Sequence, residues 1–146
     1  MLPLPSAPKE TICIGSLELH FLLDGDDTNQ QLCLFEFVIP TNARMPAPHY
    51  HAHVDEVLYG LSGTLHGIVD GKPVTLGPGQ TLFIPRGAVH YYSNPNPEPG
   101  RVLVTLTPAS IGPAYFRDMA ALLAAGGPPD PAQVQATMAR HGLVVA

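Results

Sequence analysis

An all-β fold is predicted for most of this chain by short runs of two-residue alternation and by turn signals between nearly all of them. After Pro108 the spacing changes from a period of two to a helical one, which adds two C-terminal helices. About nine or ten strands with frequent Gly and Pro turns describe an antiparallel sandwich or barrel.

The elements follow in order. Residues 12–14 and 17–22 read as strands, separated from the next by the turn Asp24-Gly25-Asp26-Asp27. Residues 31–39 alternate strictly, with Cys33, Phe35, Phe37 and Ile39 on one face, until Pro40 ends the strand. Residues 56–61 and 64–69 flank Ser62-Gly63 and read as a hairpin, and Asp70-Gly71 is a stronger hairpin signal leading into 72–76. Strands at 80–84, 89–93 and 102–107 complete the set, punctuated by Gly77-Pro78-Gly79 and Pro85-Arg86-Gly87. The segment 95–100 reads as a rigid loop. Tyr115, Phe116, Met119, Leu122 and Leu123 share one face of a helix over 112–125, which Gly126-Gly127 ends. Asp130 caps a second helix with Pro131 at its first position, Val134 and Met138 form its apolar stripe, and Gly142 stops it. The resulting division is residues 1–110 for the β domain and 111–146 for a helical extension packing on it or on a partner subunit.

A chain of 146 residues suits one domain, and 45% hydrophobic with 13% charged residues is ordinary globular composition. Its 17 Pro and 14 Gly exceed the usual shares of about 5% and 7%, which agrees with many short elements. A formal charge of −5 offers no basic field for a phosphate backbone, so nucleic acid is not an expected partner. No apolar run approaches the roughly 20 residues that span a bilayer. The N-terminus lacks the basic start and apolar core of an export signal, so the expectation is a cytoplasmic protein outside the membrane. Cys13 and Cys33 sit apart in apolar contexts and are expected buried and reduced, although the sequence leaves a disulfide open.

The chemistry is concentrated in two clusters. His49, His51, Glu56 and Gly63 form the first; Gly79, Pro85, Gly87, His90 and Asn94 form the second. Three imidazoles and a carboxylate are the donors a divalent transition metal takes from a protein. His49 and His51 are two apart and share one face of a strand. The clusters resemble the paired motifs of the cupin superfamily in its small single-domain, metal-binding, quercetin dioxygenase-like form. The first spans 43–63, with Ala43 where the motif begins with Gly; the second spans 79–94 and matches throughout, so nine of ten motif positions agree. The resemblance implies an antiparallel double-stranded β-helix, the cupin or jelly-roll barrel, over about residues 30–107. It carries the family's metal ligands onto His49, His51, Glu56 and His90.

A single His or Glu is more often solvated or satisfied in a core than functional. Four at these spacings differ: without a metal the fold would bury a carboxylate beside three imidazoles, and an unpaired buried charge costs several kcal/mol. Mg²⁺ and Ca²⁺ prefer oxygen, and no thiolate signals zinc in particular, so Fe, Mn, Ni, Co, Cu and Zn all remain. Tyr92 shares a face with His90 and is a candidate pocket wall or proton donor, with a packed core aromatic as the equal alternative. His53 continues the alternation of the ligand pair and is either a further donor or an exposed strand-end residue. If Leu61 pairs with Thr64, His66 opposes Tyr59 and is structural. Arg86 is a candidate anion contact or a solvated turn residue, and Asp55 faces away from Glu56.

The resemblance implies a dioxygenase or related oxidoreductase acting on a small phenolic or enolic molecule, with Glu56 and Tyr92 as catalytic candidates. The alternatives are a redox-neutral isomerase, lyase or cyclase, and a non-catalytic small-molecule-binding cupin. Val57, Tyr59 and Leu61 need cover from the opposite sheet, the C-terminal helices or a second subunit, and a homodimer is expected.

Overall fold

The computed structural model of the protein describes residues 8–146. Much of the N-terminal stretch read above for an export signal, residues 1–7, lies outside them. Eleven strands and two helices follow in the order β1 (Glu10–Ile14), β2 (Leu17–Leu23), β3 (Cys33–Ile39), β4 (His49–His51), β5 (Asp55–Ser62), β6 (Leu65–Val69), β7 (Lys72–Leu76), β8 (Thr81–Ile84), β9 (His90–Ser93), β10 (Gly100–Thr107), α1 (Pro113–Ala124), α2 (Pro131–Arg140) and β11 (Leu143–Val145). They form a six-stranded sheet, β1-β2-β3-β10-β5-β8, and a five-stranded sheet, β11-β4-β9-β6-β7. Every pairing is antiparallel. The hydrogen-bonded ladders do not run on from one sheet into the other, so the expected jelly roll takes the form of a two-sheet sandwich without a closed barrel.

Alternation decides what fills the interior. Leu17, Leu19 and Phe21 of β2, Cys33, Phe35, Phe37 and Ile39 of β3, and Val102, Val104 and Leu106 of β10 are all buried, one face of each strand packed on the core. Phe116 of α1 joins this layer, its ring centroid 5.5 Å from that of Phe35 and 5.7 Å from that of Phe21. Helix α1 lies on β1 and α2 on β11, so both helices pack on this chain's own sheets. Asp130 Oδ1 accepts a hydrogen bond from Ala132 N at 2.9 Å, the predicted N-cap of α2. No helix among the described residues is long and apolar enough to cross a membrane.

Three expectations are corrected. Ser62-Gly63 does not join a hairpin: β5 pairs with β10 and β8, whereas β6 pairs with β7 and β9 in the other sheet. A turn signal shows that the chain reverses, but not which sheet receives it. His66 therefore faces Thr75 and Ser93 rather than Tyr59. Cys13 is exposed, because Ile12 and Ile14 on either side take the inward face of β1; Cys33 is buried, and both thiols are free. The third concerns the chain end. Past the helix stop at Gly142, Leu143–Val145 forms an unforeseen strand whose Leu143 pairs with His51 and Val145 with His49.

Asp70-Gly71 makes the predicted hairpin, with φ of 48° and 78° and Val69 paired to Lys72. Gly63 is more constrained. Its φ is 66°, and a Cβ there would stand 2.2 Å from the Pro99 carbonyl oxygen, a backbone atom that cannot swing away. A Gly63→Ala variant should lose about 1–3 kcal/mol of stability, read as a lower urea midpoint; an unchanged midpoint would contradict the packing described for this crossover.

Candidate metal centre

The centre lies between the sheets. β4, held between β11 and β9, presents His49 and His51 inward, and His90 opens β9 directly across from His49. Glu56 reaches in from β5 of the opposite sheet, two residues before the buried Leu58 on the same face. All four side chains are buried, with Glu56 at 6% and His90 at 1% exposure.

The positions are fixed from outside. Asp55 Oδ1 accepts from Arg86 N at 2.9 Å and from Arg86 Nε at 3.1 Å, while its Oδ2 accepts from Nη2 at 3.0 Å. Arg86 is thus committed to a carboxylate, not to the cavity, and ties the 85–87 turn to the start of β5. Gly87 N donates to His51 O at 2.9 Å, and Val89 N donates to Asp70 Oδ1 at 2.9 Å. These bonds deliver His90 beside both Glu56 and the β4 pair. Asn94, the last motif residue, is 1% exposed and satisfied: its Nδ2 donates to Ile39 O and Glu98 O, and its Oδ1 accepts from Asn96 N. Where the motif has Gly, Ala43 does not take the left-handed conformation, which falls on the neighbouring Asn42 at φ 65°.

The imidazoles are oriented as donors of lone pairs. His49 Nδ1 lies 2.9 Å from Ala47 O, and His90 Nδ1 lies 3.0 Å from Ala88 O. A carbonyl only accepts, so each Nδ1 carries a proton, and whenever the ring is neutral its Nε2 is left bare for a cation. His49 Nε2 and His51 Nε2 then face each other at 3.3 Å, and His90 Nε2 is buried with no hydrogen-bond partner among the described residues. The ligand-capable atoms of the three rings lie within 4.8 Å of one another. Converging bare nitrogens and an orphaned buried one fit a cation, so this trio can hold a metal ion. Glu56 stands beside it: Oε2 is 3.3 Å from His90 Nε2 and accepts a hydrogen bond from Tyr92 Oη at 3.0 Å.

Burial would raise the Glu56 carboxyl, but the imidazoles, His90 foremost, outweigh it and hold the group at about 2. Burial pushes His49 down to about 3, helped by the charge of His90, and lowers His51 as well. His90 moves the other way: desolvation lowers it, yet the Glu56 carboxylate, 3.3 Å from its Nε2, outweighs that and raises it. Burial and the Glu56 charge push the Tyr92 phenol well above its usual range, so Tyr92 stays protonated.

The other candidates are dispersed. His53 is exposed and lines a separate recess with Arg140 and His141, and His66 is on β6, away from the cavity. What the sequence did not assign to the site is the share of its wall taken from the chain end: Tyr115 and Met119 of α1, Met138 of α2 and Leu143 of β11 line the same cavity. Their periodicity was visible, but it specified only a buried face, not which cavity that face would close.

Residues 35–106 match the family model described as Cupin_2, the Cupin domain. A 65-residue stretch is 35% identical to the tetracenomycin polyketide synthase protein TcmJ of Streptomyces glaucescens, covering 44% of this chain and 44% of that one. The match thus spans less than half of that relative's length. Among solved structures, the polyketide cyclase RemF from Streptomyces resistomycificus is similar at a TM-score of 0.64 and 23% identity, over 73% of this chain and 80% of that one, a likeness of fold. An RmlC-like cupin from Shewanella frigidimarina is similar at 0.58 and 27%, over 68% and 84%.

In the metal-free protein His49 titrates at about 3 when folded against 6.5 when free. The unfolded chain therefore takes up a proton first, and stability falls as pH drops below 6.5. Glu56, at about 2 against 4.5, contributes stability above 4.5 that is lost as pH falls toward 2. His90, raised, contributes below its free value and loses that contribution as pH rises through its folded one. A His49→Gln variant should show a shallower loss of urea midpoint between pH 6.5 and 4 than the parent; equal slopes would refute the burial of a neutral His49.

Proposed function

We propose that this chain, whose residues 35–106 match the Cupin domain model, is a metal-dependent enzyme of the cupin superfamily acting on a small phenolic or enolic molecule. Its metal ligands in this reading are His49, His51, Glu56 and His90. One observation carries it: bare, converging imidazole nitrogens, one of them orphaned, stand beside a buried, ionised Glu56. A divalent transition metal (Fe, Mn, Ni, Co, Cu or Zn) would supply positive charge next to the reacting oxygen of the substrate.

The chain's own residues would handle the proton. Tyr92 donates to Glu56 Oε2, which orients the carboxylate and leaves Oε1 for a proton from the substrate's hydroxyl or from the carbon next to its carbonyl. Because Tyr92 remains protonated, the proton taken up stays on Glu56 and returns to the substrate from there. A proton removed at one atom and returned at another is redox-neutral isomerisation; if the enolate carbon first attacks a carbonyl carbon of the same molecule, the C=O π bond breaks, its oxygen takes the proton back and the product is a ring. The relatives support this choice, since one is named a polyketide cyclase and another a polyketide synthase protein. Oxygenase chemistry is the second reading, favoured by the resemblance of all four candidate ligands to those of quercetin dioxygenase-like cupins; there dioxygen would be consumed.

Elemental analysis of the purified protein should find near-stoichiometric transition metal in the parent and its loss in His90→Ala; a parent that also refuses added metals would sink the metal-dependent reading. Glu56→Gln should lower turnover of an enolic substrate about 10²–10⁴-fold. Unchanged turnover without oxygen would support isomerisation or cyclisation, and stoichiometric oxygen uptake would replace it with oxygenation.

We also propose a homodimer. Val57, Tyr59 and Leu61 of β5 and Phe83 of β8 are exposed on the outer face of the six-stranded sheet, where neither the other sheet nor the helices cover them. Light scattering should give the mass of two chains for the parent and one for Phe83→Glu; a monomeric parent would reject the assembly.

A further inference from the structure

We infer that the C-terminal strand β11 is a positioning element of the metal centre: its pairing with β4 orients His49 and His51, and without it the centre holds a divalent metal more weakly. This deepens the metal-dependent reading and rests on it for the identity of the ligands.

The ligand strand has little support of its own. β4 is three residues long, and β9 meets it at a single registered pair, His49 with His90. β11 meets all three residues: Leu143 faces His51, Val144 faces Tyr50 and Val145 faces His49. The ladder runs one bond further at each end, where Ala52 N donates to Gly142 O and Ala146 N donates to Pro48 O, both at 3.0 Å. Alternation between these two end bonds makes Val144 and Tyr50 the hydrogen-bonded pair at the centre. Residues 48–52 are thus matched one to one by residues 142–146, which fixes the register of the ligand strand from the β11 side.

The last of those bonds reaches a group that orients a ligand. His49 Nδ1 lies 2.9 Å from Ala47 O, the contact that keeps a proton on Nδ1 and turns Nε2 toward the other rings. Ala47 immediately precedes Pro48, whose carbonyl accepts from Ala146 N. Partners behind a ligand fix its orientation, and losing one commonly costs about 10–100-fold in metal affinity. His90 is held differently: its Nδ1 uses Ala88 O, and the adjacent Val89 N donates to Asp70 Oδ1, bonds made without any residue of β11.

Packing secures β11 rather than a second strand. It is the edge of the five-stranded sheet. Leu143 is buried in the cavity wall, whereas Val144 is 38% exposed. Gly142, at φ 83°, turns the chain out of α2 and into the strand. All of this lies beyond residue 106, where the match to the Cupin domain model ends. The support of the ligand strand therefore comes from this chain's C-terminal extension.

The test compares the full chain with Val144→Pro, which removes the central ladder donor without changing a cavity-lining residue, and with Val144→Ala, which trims only an outward side chain. Affinity for cobalt(II) is read from its visible absorption in competition with a chelator. Val144→Pro should bind cobalt about 10–100-fold more weakly, and Val144→Ala should match the parent. In the metal-free protein at mildly alkaline pH, nitrogen NMR of the imidazoles should show Nδ1–H on His49 and His90 of the parent. In Val144→Pro, His49 should shift toward the Nε2–H form while His90 stays as it was. If Val144→Pro does not fold, Ala146→Pro deletes only the bond to Pro48 O and should weaken cobalt about three- to tenfold, with the same change at His49.

A folded variant that binds cobalt as tightly as the parent and keeps the His49 tautomer overturns this inference and leaves the metal centre standing. Equal changes at His49 and His90 mean general loosening and overturn it as well. A parent that refuses cobalt, with His49 alone shifted in the variant, upholds the positioning by β11 and removes the metal-dependent function instead.

Discussion

The structure depends on one buried charge. Glu56 is ionised between two apolar sheets, where an uncompensated carboxylate would cost several kcal/mol. Its compensation comes from His90 and from the hydroxyl of Tyr92, both on β9 of the opposite sheet. The interaction is therefore tertiary: it ties the two layers of the sandwich together at one point and requires them to register there. An apolar pair could pack in the same space, but it would not select this alignment of β5 against β9.

Much else serves that alignment from outside. The Asp55–Arg86 pair is exposed and contributes little stability as an ion pair. Its value is geometric, because three hydrogen bonds hold the turn before His90 to the strand that carries Glu56. Asp70 does the same from the other side by accepting from Val89 N. β4 is only three residues long, too short to be secured by one partner, and β11 and β9 flank it. The chain end thus has two tasks, supporting the strand of His49 and His51 and closing the cavity in front of them.

The candidate site was legible because its residues fall on spacings that resemble the paired cupin motifs, and local rules agree with that grouping. Two histidines spaced by two must share a strand face, and a Pro-x-Gly turn shortly before a third announces a reversal that can bring it back. Tyr92 followed from the same parity as His90. Arg86 and His53 show where that logic ends: each is next to a site residue in sequence, yet Arg86 is drawn off by Asp55 and His53 points to solvent. Proximity along a strand assigns a face, whereas the partner waiting on that face is set by segments distant in the chain.

By itself the sequence determined the strand and helix periods, the hairpin at Asp70-Gly71, the cap of α2 and the residues able to meet a metal, since all of these rest on spacing and on the conformational limits of single residues. Only the tertiary structure decided that Ser62-Gly63 crosses between sheets, that the sandwich stays open, that Leu143–Val145 completes a sheet and that α1 and α2 wall the cavity. Turn chemistry and alternation act over a few residues; which sheet edge accepts a strand and which cavity accepts an apolar face are settled by packing among segments that are far apart in the chain.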